Sequence, residues 1–258
     1  MDSQKWSNID KYNEFMGKWS IMVAKEFLIW LSKDNDVQKK KWIDIGCGPG
    51  SLTFEILKFF NPEFLLGVDP SPDYLPNSSS PNISFQVGSS HKLPVSSNIF
   101  DFVVSGLALN FMSDINASIQ EMLRVLKPNC CLALYVWDYS GQMDLLRPFW
   151  DVAGELKPEA KSLDEGELFP ICNKPSLISL FEDNGIKDIK YNEIVINPTF
   201  SDFESYWGPF LGGQGPAGSY LISLNQQDQN LLKTKLASRF LNKPLSLKAR
   251  ALAIQGKK

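Results

Sequence analysis

Short apolar runs and longer amphipathic stretches alternate along this chain, with a turn signal at each boundary. Trp42 to Ile45 is a short run of buried-strand type. Gly46-Cys47-Gly48-Pro49-Gly50 follows, and then Ser51–Phe60, where Leu52, Ile56, Leu57 and Phe60 share one helical face. Phe64–Val68 is a second strand run and ends on Asp69; Ile83–Val87 and Phe100–Gly106 are two more. A helix over Ile115–Leu126, stopped by Lys127-Pro128-Asn129, precedes a strand over Cys131–Trp137. Beyond it the pattern predicts helices over Gln142–Leu156, Pro175–Asn184 and Gln226–Leu241, and strands over Ile186–Ile196 and Leu245–Gln255. Strands and helices alternating in this way imply a parallel sheet covered by helices on both faces.

The remaining stretches organise the chain. Residues 5–34 predict one or two amphipathic helices, Lys33–Lys40 a polar linker, and Pro76–Pro81 a loop. Two insertions, 138–170 and 200–241, interrupt the later alternation. The second holds Trp207, Phe210 and Tyr220 around Gly212-Gly213-Gln214-Gly215-Pro216, a run that reads as too glycine-rich for helix or strand. The expected layout is one domain over 1–258, with an N-terminal helical cap over 1–40 and a ligand-binding half over 41–137. A second half over 138–258 carries the two insertions as a lid.

The glycine turn narrows the ligand. Glycine admits positive φ and close approach of a ligand to the backbone. The helix after it starts with unpaired N–H groups and a positive dipole end, which suits a carboxylate or phosphate. The spacing is G-x-G-x-G rather than the G-x-G-x-x-G of dinucleotide sites, and Pro49 removes one amide that a pyrophosphate would use. An acid at the end of the second strand, Asp69, is placed to accept from both hydroxyls of a ribose.

Composition bounds the function further. The chain has 258 residues, 43% of them hydrophobic, which is enough for a substantial core. Its net charge of −3 and the absence of a long basic run argue against a nucleic-acid partner. With one histidine and no metal-ligand spacing among Cys47, Cys130, Cys131 and Cys172, no metal site is expected. Ile21–Leu31 is short and broken by Lys25 and Glu26, so no membrane span is expected and a cytoplasmic location is the default.

Four blocks carry a resemblance. Asp44–Gly50 (DIGCGPG), Gly67–Ser71 (GVDPS), Gly88–Phe111 (GSSHKLPVSSNIFDFVVSGLALNF) and Glu121–Tyr139 (EMLRVLKPNCCLALYVWDY) resemble, in order and spacing, the class I S-adenosylmethionine-dependent methyltransferases. YNEFMGKWS, FWDVAGELKPEA, FLGGQGPAGSY and LKARALAIQG are similar to a bacterial small-molecule branch of the type 11 methyltransferases. The resemblance implies a Rossmann-like, doubly wound α/β fold: a seven-stranded sheet, mostly parallel with an antiparallel last strand, plus a helical lid. It implies S-adenosyl-L-methionine as cofactor, a small-molecule methyl acceptor, and a monomer or homodimer. That cofactor has a carboxylate for the glycine turn, a ribose for Asp69 and no pyrophosphate. A non-catalytic S-adenosylmethionine binder and an NAD(P)-dependent oxidoreductase are the alternatives.

Site residues follow from the same blocks. The resemblance puts Asp44, Gly46, Cys47, Gly48 and Gly50 around the amino-acid end of the cofactor, with Asp69 and Pro70 at the ribose. Ser89, Ser90 and His91 fall in the adenine loop, where Ser89 stands in place of the usual acid. Ser105 ends the fourth strand, and Tyr12 and Trp19 either cover the cofactor or pack their own helix. Asn110 stands where relatives often have histidine; its amide cannot take a proton but can orient an acceptor. Asp138, at the carboxyl end of the fifth strand, is the candidate base, against an alternative role as a turn or helix cap. Trp137, Tyr139, Trp207 and Phe210 are candidate acceptor contacts, the last two alternatively core. The methyl transfer itself is a direct displacement, so alignment rather than a base supplies much of the rate.

Overall fold

A computed structural model describes residues 16–78, 80–240 and 245–258. The described strands are β1 (Lys41–Ile45), β2 (Phe64–Asp69), β3 (Ile83–Val87), β4 (Phe100–Gly106), β5 (Leu126–Trp137), β6 (Lys187–Ile196), β7 (Thr199–Phe200), β8 (Leu245–Ser246) and β9 (Ala249–Lys257). Seven of them form one sheet in the order β3-β2-β1-β4-β5-β9-β6. The pairs β1·β2, β1·β4, β2·β3 and β4·β5 are parallel. The last strand is antiparallel: Lys258 N bonds Cys130 O at one end of β5, and Asp138 N bonds Arg250 O at the other. It sits between β5 and β6 and so has a neighbour on each side.

The α-helices among the described residues are α1 (Lys18–Ser32), α2 (Ser51–Phe60), α3 (Ile115–Val125), α4 (Arg147–Leu156), α5 (Glu165–Leu168), α6 (Lys174–Asp183), α7 (Phe203–Trp207), α8 (Gly215–Ser223) and α9 (Gln226–Arg239). The described residues cluster into two compact units. The first comprises residues 20–136, 173–194 and 251–258 and contains most of the sheet. In it Trp42 stacks on Phe102 at 4.1 Å and on Phe60 at 5.5 Å, so adjacent strands and α2 share one aromatic stack. Phe27 of α1 meets Tyr135 of β5 at 4.7 Å. Burying such side chains contributes about 2 kcal/mol or more each, and these contacts are what hold helix to sheet.

The second unit comprises residues 16–19, 137–172, 195–240 and 245–250. Its core is aromatic. Phe149 stacks on Phe210 at 4.9 Å, Tyr206 lies edge-on to Phe210 at 5.4 Å, and the Tyr206 hydroxyl donates to Leu145 O at 3.0 Å. A two-stranded antiparallel ribbon, β7·β8, joins it.

Several boundaries differ from expectation, each for a local reason. The strand expected from Cys131 begins at Leu126, because Leu126 already pairs with Phe100 while the next partner pair is Phe102–Cys131. Residues 127–130 bulge between those pairs, with Asn129 at φ +59, so Lys127-Pro128-Asn129, which follows the end of α3 at Val125 as expected, also forms a bulge in β5. The helix expected from Gln142 starts at Arg147, since Gln142 N is held by the Asp138 carboxylate and Met143 bridges Ala249. The final strand is split into β8 and β9. The glycine-rich run is not an irregular loop: Gly208–Gly212 is a 3-10 turn and α8 begins at Gly215. Pro216 lies in the first turn of α8, where its missing N–H costs nothing.

Candidate active site

The turn between β1 and α2 is held by β2. Gly46 N and Cys47 N both donate to Val68 O, at 2.8 and 3.1 Å. Gly46 has φ +73, and a Cβ there would lie 2.5 Å from Ala108 Cβ, so only glycine lets the two turns touch. Gly48 has φ +50, and a Cβ there would meet nothing within 4 Å. The first glycine therefore answers to packing, whereas the second faces open space, as a ligand cradle requires.

Two carboxylates flank this turn. Asp69 Oδ2 accepts from Gly48 N and Oδ1 from Ser71 N, both at 2.9 Å. Burial raises the Asp69 carboxyl above its ordinary range, and those two amides oppose the rise. Pro70 beside it is exposed. Asp44 is 1% exposed, and its Oδ2 accepts from Thr53 Oγ1 at 2.6 Å. Its Oδ1 has no hydrogen-bond partner among the described residues. Burial pushes the Asp44 carboxyl up to about 7; the Thr53 hydrogen bond opposes the rise and the nearby Asp69 charge adds to it. An orphaned acid oxygen beside an open glycine fits the ammonium of an amino-acid-bearing cofactor, and the Asp69 lone pairs fit a ribose.

Other expected contacts are spent within the protein. Ser105 is fully buried, and its hydroxyl donates to Ile45 O at 2.8 Å, so it braces the β1 end rather than facing a ligand. The Cys47 side chain is buried toward Gly67, whose Cβ would lie 3.0 Å from the sulfur; burial drives its thiol far up, and it offers only backbone. Ser90 Oγ pairs with Ser118 Oγ of α3 at 2.8 Å. Ser89 Oγ and His91 Nδ1 bond each other at 2.9 Å, with His91 exposed. Tyr12 lies outside the described residues. Trp19 is buried edge-on to Phe200 of β7 at 5.6 Å, with Lys18 Nζ 4.2 Å over its ring, so it packs the start of α1 against β7.

The expected base is neutralised. Asp138 Oδ2 accepts from Arg250 Nε at 2.7 Å, from Arg250 Nη2 at 2.6 Å, and from Gln142 N at 3.1 Å. That oxygen is committed to the guanidinium and to capping the turn that begins at Asp138. Trp137, Tyr139, Trp207 and Phe210 are all buried; Tyr139 packs on Phe169, and Trp207 and Phe210 belong to the aromatic core of the second unit. Phe210 is therefore packing rather than an open wall. Asn110 is different: it is buried, yet both its Nδ2 and Oδ1 lack partners.

Glu165 went unremarked in the sequence and is the other strongly perturbed acid. It is buried and accepts from Trp150 Nε1 and from Ala217 N at the start of α8. Burial pushes its carboxyl up to about 7 against those hydrogen bonds, with the Asp164 charge adding to the rise. Nothing local in Asp164-Glu165-Gly166-Glu167 marks it, because its partners lie 15 and 52 residues away.

Comparison with known proteins identifies the family. The model of the family described as "Methyltransferase domain" matches residues 43–134. A demethylmenaquinone methyltransferase of Staphylococcus aureus is 31% identical over 192 residues, covering 66% of this chain and 79% of that one. The chain belongs to the S-adenosylmethionine-dependent methyltransferases. An uncharacterized methyltransferase of Schizosaccharomyces pombe is 33% identical over 125 residues, and the chain spans 45% of its length. Among solved structures, phosphoethanolamine N-methyltransferase 2 of Haemonchus contortus, in complex with S-adenosyl-L-methionine, superposes with a TM-score of 0.58 at 14% identity. That match covers 97% of this chain and 56% of the other, and it bears on the fold alone. Among the described residues no group of His, Cys, Asp and Glu could hold a metal ion, and no helix is long and apolar enough to cross a membrane.

Proposed function

We propose that this methyltransferase acts on a small-molecule acceptor, holding its cofactor by the Gly46–Gly50 turn, Asp44 and Asp69. When bound, the cofactor supplies a sulfonium-activated methyl group. Asp44 Oδ1 takes the cofactor ammonium, the start of α2 faces its carboxylate, and Asp69 accepts from the ribose hydroxyls. The Ser89–His91 pair borders the adenine. The observation that carries this reading is the open left-handed Gly48, whose amide is tied to the Asp69 carboxylate at 2.9 Å. A small acceptor is supported by the Staphylococcus aureus relative, whose name specifies a small molecule, demethylmenaquinone. Asp138 is held in its ion pair as a positioning group, and the chain contributes alignment rather than a strong base.

Calorimetry with S-adenosylhomocysteine and NADH tests the cofactor part. Binding of the first and not the second is expected; the reverse would remove the site assignment. Incubation with methyl-labelled cofactor and a whole-cell extract, with small molecules, protein and nucleic acid separated afterwards, tests the acceptor part. Label confined to protein or nucleic acid would overturn it.

A further inference from the structure

Asn110 sits on a 3-10 turn, Leu109–Phe111, just beyond β4. Its position is built with some strain. Leu107 takes φ +59, which bulky residues rarely adopt, and donates its amide to Tyr135 O at 2.8 Å. The turn is closed by Phe111 N to Ala108 O at 3.0 Å and by Met112 N to Leu109 O at 3.1 Å. Ala108 is the residue that touches Gly46, so Asn110 lies two residues from the glycine turn's own contact. The side chain is 5% exposed, and neither amide atom has a hydrogen-bond partner among the described residues. Buried polar groups are nearly always paired, and leaving both ends of an amide unpaired is costly. A leucine of similar size would avoid that cost, so the amide answers to a partner that the described residues do not supply.

We infer that Asn110 recognises the methyl acceptor, and that the acceptor presents a neutral group able both to donate and to accept a hydrogen bond, such as a phenolic hydroxyl beside a carbonyl or a second hydroxyl. The inference rests on the methyl-transfer reading and adds the acceptor's chemical class. A carboxylate would satisfy Nδ2 and leave Oδ1 orphaned; an ammonium would do the opposite. A neutral donor–acceptor pair satisfies both atoms. The cofactor's own amino-acid end has both charges, but Asp44 Oδ1 and the start of α2 already serve them.

The test uses the full chain, methyl-labelled cofactor and a defined panel: catechol and a hydroxyquinone against benzoate and a primary alkylamine. Label is expected in the neutral members. Asn110→Leu is expected to melt no lower than wild type, to bind S-adenosylhomocysteine within twofold, and to lose at least tenfold in kcat/KM on the labelled acceptor, chiefly through KM. Asn110→Ser provides the same readouts if the leucine variant does not fold. Label only in benzoate or the alkylamine, or in no member, overturns the acceptor class. A lower melting temperature with unchanged transfer means the amide is structural, and a tenfold loss of S-adenosylhomocysteine affinity means it serves the cofactor; either overturns the inference. Wild-type protein that does not bind S-adenosylhomocysteine removes the underlying reading, a separate result from these.

Discussion

The carboxylate of Asp69 accepts a hydrogen bond from the amide of Gly48, 21 residues earlier in the chain, at 2.9 Å. One acid therefore fixes the glycine turn and still has lone pairs for a ligand. Asp69→Ala removes both functions. Charge-assisted hydrogen bonds contribute about 1.5–3 kcal/mol each. Affinity for S-adenosylhomocysteine, read by calorimetry, should fall at least tenfold while the circular dichroism spectrum is kept. Wild-type affinity in this variant would place the ribose elsewhere.

Asp138 and Arg250 should behave as one buried unit. Their side chains are 8% and 29% exposed, and Arg250 reaches one carboxylate oxygen with two nitrogens. Removing one partner of such a pair costs about 3 kcal/mol, because the other charge is left uncompensated. Asp138→Asn and Arg250→Met should each lower the urea midpoint, and the double variant should cost less than the sum. A loss of kcat in Asp138→Asn with unchanged stability would restore a base role.

Phe210 stacks on Phe149 at 4.9 Å with the rings 4° from parallel. A core phenylalanine truncated to alanine costs about 3–5 kcal/mol. Phe210→Ala should show a large drop in melting temperature, with any kinetic change arising from it. A variant as stable as wild type but with a raised acceptor KM would mean that this ring meets the acceptor.

Glu165 makes a pH prediction with a defined sign. Its folded-state pKa is about 7, above the ordinary 4.5. Between those values the folded chain holds a proton that the unfolded chain has released. The stabilising contribution is complete below about pH 4.5 and is lost as pH rises through 7, on the order of 3 kcal/mol. Asp44, also raised to about 7, has the same sign, so the wild-type slope is a sum. Glu165→Gln keeps an acceptor for Trp150 and cannot ionise. The stability of Glu165→Gln minus that of wild type, from urea titrations at pH 5 and pH 8, should grow with pH. A difference that does not change would mean Glu165 titrates as it does in the unfolded chain.

What the sequence determined by itself is what short-range physics encodes. Apolar runs and period-3.6 patterns placed β4 and α2 to the residue, because each buries one run or one face within a dozen positions. The turn at Gly46–Gly50 and the acid at Asp69 were legible because a tight strand-to-helix turn demands glycine wherever it occurs, and Asp69 ends an unbroken apolar run. The tertiary structure alone decided what each polar side chain is used for. Ser105 and Asp138 looked available by their places at strand ends. Ser105 is spent on Ile45, 60 residues away, and Asp138 on Arg250, 112 residues away. Glu165 looked like any surface acid until α4 and α8 closed over it. The glycine-rich run became a helix start because Pro216, buried core and the Glu165 carboxylate outweigh the weak helix propensity of its glycines. A sequence records which groups a chain has; burial and the partners that lie far along it decide which remain unpaired, and Asn110 is the one whose two hydrogen-bonding atoms the fold leaves without a partner among the described residues.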